Sequence, residues 1–342
     1  MLFHACHCLY VPPHVLDNLA KAGVGNAQLT LNQDKQARRK RNAKEVSTEV
    51  LAGIATAGEG PRTTWDCENQ WVQRVNRVRG EGGPSTSDDA VNNAYDYTGQ
   101  VREYFGSLER NSYDNLGADI HLNVHFGQDY NNAFWDGDEL TFGDGDGTIF
   151  VDFPNSLDVV AHEFGHGVTQ FTANLDYYSQ SGALNESFSD VFGSAITQHI
   201  LGQDAGEADW LIGDEIMGPE LYGEALRSMK APGTAYDNPI MGKDPQPDHM
   251  DDYYPGPFDN QGVHINSGIP NKAFYLVSTA IGTDKATLIW YHALQNLWAT
   301  AFFNDAVAVF AESARVLTKD EKVPLGSAQT VRSAFKAVGL PY

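Results

Sequence analysis

His162, Glu163 and His166 sit inside the stretch SLDVVAHEFGHGVTQF at 156–171. Read as a helix, this stretch lines up Leu157, Val160, Ala161, Phe164, Val168 and Phe171 as a buried stripe. His162 and His166 fall one turn apart on another face, so both imidazoles reach a single point. That spacing suits zinc, which takes imidazole nitrogen at about 2.0–2.1 Å in a tetrahedral shell. Glu163 lies beside the pair, near enough to act on a metal-bound water and angled away from ligation. An ordinary polar helix face would show the same pattern. The rest of the chain must therefore supply the missing parts of a site.

A catalytic zinc needs a third protein ligand and an open position. GALNESFSDVFGSAI at 182–196 reads as a second helix, with Leu184, Phe188, Val191, Ala195 and Ile196 as its buried stripe. Glu186 and Asp190 lie one turn apart on another of its faces. Acids near a helix start are favourable in any case. Glu186 is nonetheless a candidate third ligand, and Asp190 a candidate acceptor for the free N–H of a liganding histidine. H-E-x-x-H on a helix is the zinc-peptidase signature, and two His with one Glu form a hydrolytic zinc shell.

These two helices need a scaffold, and 342 residues suffice for two or three structural units around a real core. Residues 62–155 read mostly as strands and turns. HLNVHFG (121–127) alternates as a half-buried strand. TFGDGDGTIFVDF (141–153) reads as strand, tight turn, strand; the D-G-D-G core lacks the spacing and terminal Glu of an EF-hand. Residues 87–108 form a helix opened by Ser and Asp. Beyond 156 helices are expected at 183–201, 271–281, 285–302, 304–317 and 326–338, with a long Gly-, Pro- and Asp-rich segment at 202–268. Residues 1–60 stand apart. They hold seven Lys/Arg and five Asp/Glu in a chain of net charge -22. The basic cluster KQARRKRNAK (35–44) reads as a solvated helix or as a nucleic-acid patch, and LAGIATAGEGP (51–61) reads as a linker.

The quoted motifs, together with NNAFWDG (131–137), FGDGDGTIF (142–150), LRSM (226–229) and DNQGVHINSGIPNKAFY (259–275), strongly resemble the thermolysin-like neutral zinc metallopeptidases (the M4 family) from about residue 62 onward. CLYVPPHVLDNLAKAG (8–23) resembles the short propeptide of the protealysin-like subgroup. The resemblance implies an α+β, two-lobed zincin, with a mostly β N-terminal lobe and a mostly α C-terminal lobe joined by the HExxH helix. The implied division is 1–60 as an inhibitory prosegment and linker, 61–177 as the N-terminal catalytic lobe and 178–342 as the C-terminal helical lobe.

By position, the resemblance assigns His162, His166 and Glu186 to Zn2+ and Glu163 to general base. His264 and Tyr177 would stabilise the oxyanion, with Asp259 orienting His264 and Asp190 orienting His162. Tyr178 adjoins Tyr177, so that choice rests on spacing from Glu186. Asn132 and the backbone of Ala133 would hold the substrate chain, and Arg227 would bond a substrate carbonyl. The pocket for the residue after the scissile bond would be lined by Phe150, Phe153, Val159, Ile212, Ile216 and Leu226, which favours bulky hydrophobic residues. Without the family, His264 is a structural loop histidine and Arg227 a buried ion-pair partner.

The chain also departs from the family. Asp158, Asp209 and Asp214 match three ligands of thermolysin's calcium pair, but Thr197 and Leu211 stand where two acidic bridging ligands belong. One Ca2+ at most is expected. The prosegment implies latency, with PPHVL (12–16) lying across the active-site cleft as an intramolecular inhibitor. Cys8 either places a thiolate on the open zinc position or packs as a small buried residue.

The expected activity is a zinc-dependent endopeptidase made as a latent precursor, a monomer acting on polypeptides. The rival is a catalytically silent zinc-binding protein of the same fold, and a zinc hydrolase of another bond is a third reading. Glu163 and His264 argue against the silent form, and NNAFW argues for extended peptides. The acidic balance disfavours nucleic acid and anionic membranes, and no apolar run approaches the ~20 residues of a bilayer span. Three cysteines form no complete disulfide framework, and the C-x-C pair Cys6 and Cys8 lacks the second pair of a zinc knuckle. The N-terminus is a poor signal peptide, so the expected location is the cytoplasm or an unconventional export route.

Overall fold

The computed structural model describes residues 8–41 and 60–341. Cys6, the 51–59 part of the expected linker and the end of the basic cluster beyond Arg41 lie outside the described residues. The chain forms two compact units. The first runs up to Phe171 and includes Gly213–Glu224 and Asn238–Gly242; the second holds Thr172–Ile212, Ala225–Asp237 and Lys243 onward. The first carries the large sheet and the second is mainly helical.

In the first unit the strands are β1 (Cys8–Leu9), β2 (Arg62–Asp66), β3 (Asn76–Gly80), β4 (Ile120–Val124), β5 (Ala133–Trp135) and β6 (Glu139–Phe142). They form one sheet in the order β1-β5-β6-β4-β2-β3. The pairings β2–β4 and β4–β6 are parallel, and the others are antiparallel. In β4, Ile120, Leu122 and Val124 are fully buried, and so is Asn123, so the strand is more buried than a half-buried alternation predicts. Helix α3 (Asp89–Ser107) starts where the Asp88 carboxylate accepts the amides of Ala90 and Val91, an N-cap contributing about 1 kcal/mol. Its Phe105 stacks on Phe164 of helix α4 (Leu157–Gln170), ring centroids 5.6 Å apart.

The expected second strand of 141–153 does not form. After β6 the chain turns through Gly143, Asp144 and Gly145, and its return makes a single isolated bridge, Phe150 to Met217. A Cβ on Gly143 would sit 2.0 Å from the Tyr130 carbonyl oxygen, so this close approach requires glycine. The turn is held by side chains instead of a ladder. Asp146 caps the amides of Thr148 and Ile149, and Asp144 lies 2.8 Å from the His125 ring.

After β1, Pro12 and Pro13 open helix α1 (Pro13–Lys21), where fixed φ and a missing N–H cost nothing. Val15, Leu16 and Leu19 form its buried face. Helix α2 (Ala27–Arg41) follows a short turn. Asn18 donates to the Met241 carbonyl (2.7 Å) and Asn26 to Asp129 (2.6 Å).

In the second unit α5 (Ser179–Leu201) ends at Gly202 in the left-handed conformation. Helices α6 (Phe258–Asn266), α7 (Gly268–Ile281), α8 (Thr283–Leu294), α9 (Phe303–Lys319) and α10 (Ser327–Ala337) follow. α7, α9 and α10 match the expected helices within a few residues, α8 ends at Leu294 instead of running to 302, and α6 falls in the segment where no helix is expected. Trp290, Phe310, Phe335 and Phe274 form an aromatic core among them. The polar segment 202–268 contains a two-stranded pair, β7 (Leu211–Ile212) with β8 (Arg227–Ser228), and the whole of α6. Among the described residues no helix is long and apolar enough to cross a membrane.

Candidate active site

Helix α4 is buried along its whole length, so its polar residues need partners inside the protein. His162, Glu163 and His166 are all fully buried. The Nε2 atoms of His162 and His166 lie 3.0 Å apart, the convergence expected of histidines one turn apart. The helix is anchored to β5 and the turn after it: Trp135 donates its indole N–H to Gln170 (2.9 Å), and Gln170 donates to the Gly137 carbonyl (3.1 Å).

Glu186, on α5, is also fully buried. Ligand atoms of His162, His166 and Glu186 all lie within 4.8 Å of one another. Two imidazoles and one carboxylate gathered this closely, away from water, match the donor set and reach of a zinc shell. Among the described residues this is the one group of three or more His, Cys, Asp or Glu donors so arranged. Of the acids expected around calcium, Asp158 is buried and Asp209 exposed. Asp158 accepts from Ser156 and from the Gly213 amide (2.7 Å), and exposed Asp209 accepts the nearby Leu211 amide (3.0 Å). Burial raises the Asp158 carboxyl to about 6, against the opposing bonds from Ser156 and Gly213.

Around Glu186 stand Tyr177 and His264. The Tyr177 hydroxyl donates to Glu186 Oε1 and lies 3.2 Å from His264 Nε2. Tyr178 is 54% exposed, so of the two adjacent tyrosines it is Tyr177 that turns inward. Asp259 holds His264 twice, at the backbone amide (2.8 Å) and at Nδ1 (2.7 Å). Burial lowers the His264 pKa, but the carboxylates of Asp259 and Glu186 outweigh it, and the pKa is raised overall. The backbone that allows this grip is unusual. Asp259, Asn260, Gln261 and Gly262 all have positive φ, between 49° and 78°. A left-handed turn of this length costs roughly 1–2 kcal/mol for each residue that is not glycine.

Asp190 makes a bidentate pair with Arg227, both bonds 2.8 Å, and accepts from Asn271 (2.9 Å). All three groups are buried. Arg227 is thus a buried ion-pair partner of Asp190.

The expected peptide-holding residues, Asn132 and Ala133, are occupied by the chain's own N-terminus. β1 pairs antiparallel with β5, Cys8 opposite Trp135 and Leu9 opposite Phe134. The Tyr10 amide donates to the Ala133 carbonyl (3.0 Å), and the Val11 amide donates to Asn132 Oδ1 (2.8 Å). The Tyr10 ring is fully buried, edge-on to His162 (4.9 Å) and Phe153 (6.4 Å). The expected pocket residues Phe150, Phe153, Val159, Ile212, Ile216 and Leu226 are likewise buried.

Within this segment PPHVL opens α1, and the residues that meet β5 and Asn132 are Cys8 to Val11. The reason is the paired prolines, which lack the amides a strand ladder needs and instead open a helix. Cys8 is disulfide-bonded, so it holds no thiolate for a metal; Cys67 is a free, buried thiol pushed up to about 12 by burial. Two residues escaped the sequence reading. Tyr10 carried no signal beyond being aromatic. Asp34, on α2, looked like a solvated helix acid, yet it is buried and accepts from Tyr130 (2.6 Å) and from Asn132 Nδ2 (3.1 Å).

Comparison with known proteins agrees with this arrangement. The family description "Thermolysin metallopeptidase, catalytic domain" matches residues 22–170, and "Thermolysin metallopeptidase, alpha-helical domain" matches 173–340. An "Extracellular metalloprotease" of Pectobacterium carotovorum subsp. carotovorum is 46% identical over 295 residues, covering 84% of each chain. A "Thermolysin" of Alicyclobacillus acidocaldarius subsp. acidocaldarius is 40% identical over 265 residues, covering 74% of this chain and 46% of that protein. The solved precursor of protealysin, a metalloproteinase from Serratia proteamaculans, superimposes with a TM-score of 0.84 at 40% identity, covering 97% of this chain and 99% of that one.

Proposed function

This chain belongs to the thermolysin family of metallopeptidases, and from that premise we propose that it is a latent zinc endopeptidase whose N-terminal segment fills its own peptide-binding edge. The observation that carries the reading is the buried convergence of His162, His166 and Glu186, with Glu163 on the same helix as the two histidines. Its relatives are named as proteases, which disfavours a catalytically silent protein.

Zinc, when bound, supplies a Lewis acid and lowers the pKa of a coordinated water to about 7. The chain's residues do the rest. Glu163 takes a proton from the attacking water and returns it to the leaving amine. Tyr177 and His264 donate to the oxygen on which charge develops; losing one such donor typically costs about 10²–10³ in turnover. Asp259 fixes the His264 ring through Nδ1, which leaves Nε2 facing Tyr177 and Glu186 as the atom that would meet that oxygen. Asn132 and Ala133 hold the peptide backbone as they hold Tyr10 and Val11. Arg227 is the candidate donor to a substrate carbonyl, kept in place by Asp190. Phe150, Phe153 and Val159 favour a bulky hydrophobic residue after the scissile bond.

The division at about residue 60 separates the prosegment from the catalytic chain in this reading. Similarity to a precursor supports latency, as does the strand pairing of Cys8–Leu9 on β5. Casein hydrolysis by the purified full-length chain, with and without a chelator, tests the activity. A lag that ends with the appearance of a new N-terminus tests the latency. No chelator-sensitive hydrolysis before or after processing would end the proposal.

A further inference from the structure

We propose that the pocket beside His162 selects a tyrosine side chain, with Asp158 as the specificity-determining residue that receives its hydroxyl. This rests on the reading of the N-terminal strand as a stand-in for substrate. Tyr10 enters the pocket from a backbone held on β5 by Ala133 and Asn132, the groups assigned to hold substrate. Its ring meets apolar and imidazole edges, as any aromatic would. Its hydroxyl reaches past them to Asp158 Oδ2, at 3.3 Å.

Asp158 is buried in the first turn of α4. Its carboxylate already accepts from Ser156 on one oxygen and from the Gly213 amide on the other. Oδ2 therefore has one acceptor direction left, and the phenol takes it. An aliphatic residue would fill the apolar volume but leave that direction dry, and phenylalanine would do the same. A site built around a buried acceptor discriminates against the analogue lacking the donor, because the acceptor is then left without water or partner. Two donors on Asp158 remain whatever the occupant, so the discrimination is modest, about tenfold, and not the larger factor of a wholly orphaned group. The inference does not depend on the direction in which a substrate chain runs, since the pocket reads a side chain and not a polarity.

The test uses the full-length, zinc-loaded chain in two arms. In the first, Glu163→Gln prevents self-processing, and hydrogen exchange is followed at the Tyr10 and Val11 amides in three forms: Tyr10, Tyr10→Phe and Tyr10→Leu. Exchange about tenfold faster with Phe than with Tyr, and faster still with Leu, is expected. Equal exchange for Tyr and Phe would overturn the proposal. In the second, the unmutated chain, after any self-processing it performs, is given quenched peptides that differ only in the residue after the scissile bond. Tyr cleaved faster than Phe and Leu is the expected order; Leu equal to or ahead of Tyr would overturn it. Hydrolysis of all three at one rate sinks the specificity and leaves the peptidase standing. A clear exchange difference with no hydrolysis of any peptide sinks the peptidase and leaves the pocket standing.

Discussion

Asp34 of α2 accepts a hydrogen bond from the side-chain amide of Asn132 at 3.1 Å, while the other face of the same amide, Asn132 Oδ1, accepts the Val11 backbone at 2.8 Å. One side chain, proposed to hold substrate, is thus engaged by two separate parts of the N-terminal segment. Asp34 also takes the Tyr130 hydroxyl at 2.6 Å, and it does so while buried, where hydrogen bonds to a charged group contribute about 1.5–3 kcal/mol each.

Replacing Asp34 by alanine should weaken the hold of the segment and raise basal hydrolysis by the full-length precursor roughly tenfold or more. The check is the initial rate on a quenched peptide before any new N-terminus forms. An unchanged initial rate would show that α2 contributes nothing to latency.

Glu163→Gln keeps the shape of the side chain and removes its basicity. Turnover should fall by at least about 10²–10⁴, the usual contribution of a general base. Zinc content, measured by atomic absorption after dialysis, should stay near one per chain. Glu186→Ala should do the reverse in order of cause, losing the metal first and activity with it.

His125 offers a pH dependence of stability. Its hydrogen bond to Asp144 raises its pKa to about 9, against burial, with further help from the Asp144 charge and from Asp88. The folded value lies above the ordinary histidine value of about 6.5. The stabilisation is therefore fully present below about 6.5 and is lost as pH rises through about 9. Melting temperature followed through that window should fall more steeply for the native chain than for His125→Gln. Parallel curves would mean that Asp88 and Asp144 do not depend on the imidazolium.

The left-handed turn before His264 gives a prediction of opposite sign. Gln261 has φ 62° and ψ 42°, a conformation that glycine adopts freely. Gln261→Gly should stabilise the chain by about 1 kcal/mol, and Gln261→Val should destabilise it by more. Urea titration monitored by tryptophan fluorescence measures both. Asp259 and His264 are untouched, so peptide hydrolysis by Gln261→Gly should stay close to the native rate.

What could be read from the sequence depended on the distance over which the signal acts. His162 and His166 were legible because a helix brings residues four apart together, and Glu186 because it opens an equally periodic helix. β4 was legible from its alternation. Contacts across long separations were not. Nothing local in CLYV says that these residues pair with Ala133–Trp135, and nothing in a polar helix marks Asp34 as buried. The expected strand at 148–153 failed for a related reason: its apolar residues pack, but Asp144 and Asp146 side chains satisfy the turn that a ladder would otherwise close. In DNQG, nothing local marks that Asp259, Asn260 and Gln261 share the positive φ of Gly262.

Cys8 and Leu9 form the outermost rung of the sheet, and under the proposed latency this rung detaches. Once it leaves, the amides and carbonyls of Ala133 to Trp135 must find another extended chain or water. The appetite for peptide and the liability of a bare sheet margin then have the same origin. Freed protein held at high concentration without substrate should capture strands from its neighbours, and its useful lifetime should shorten as its concentration rises.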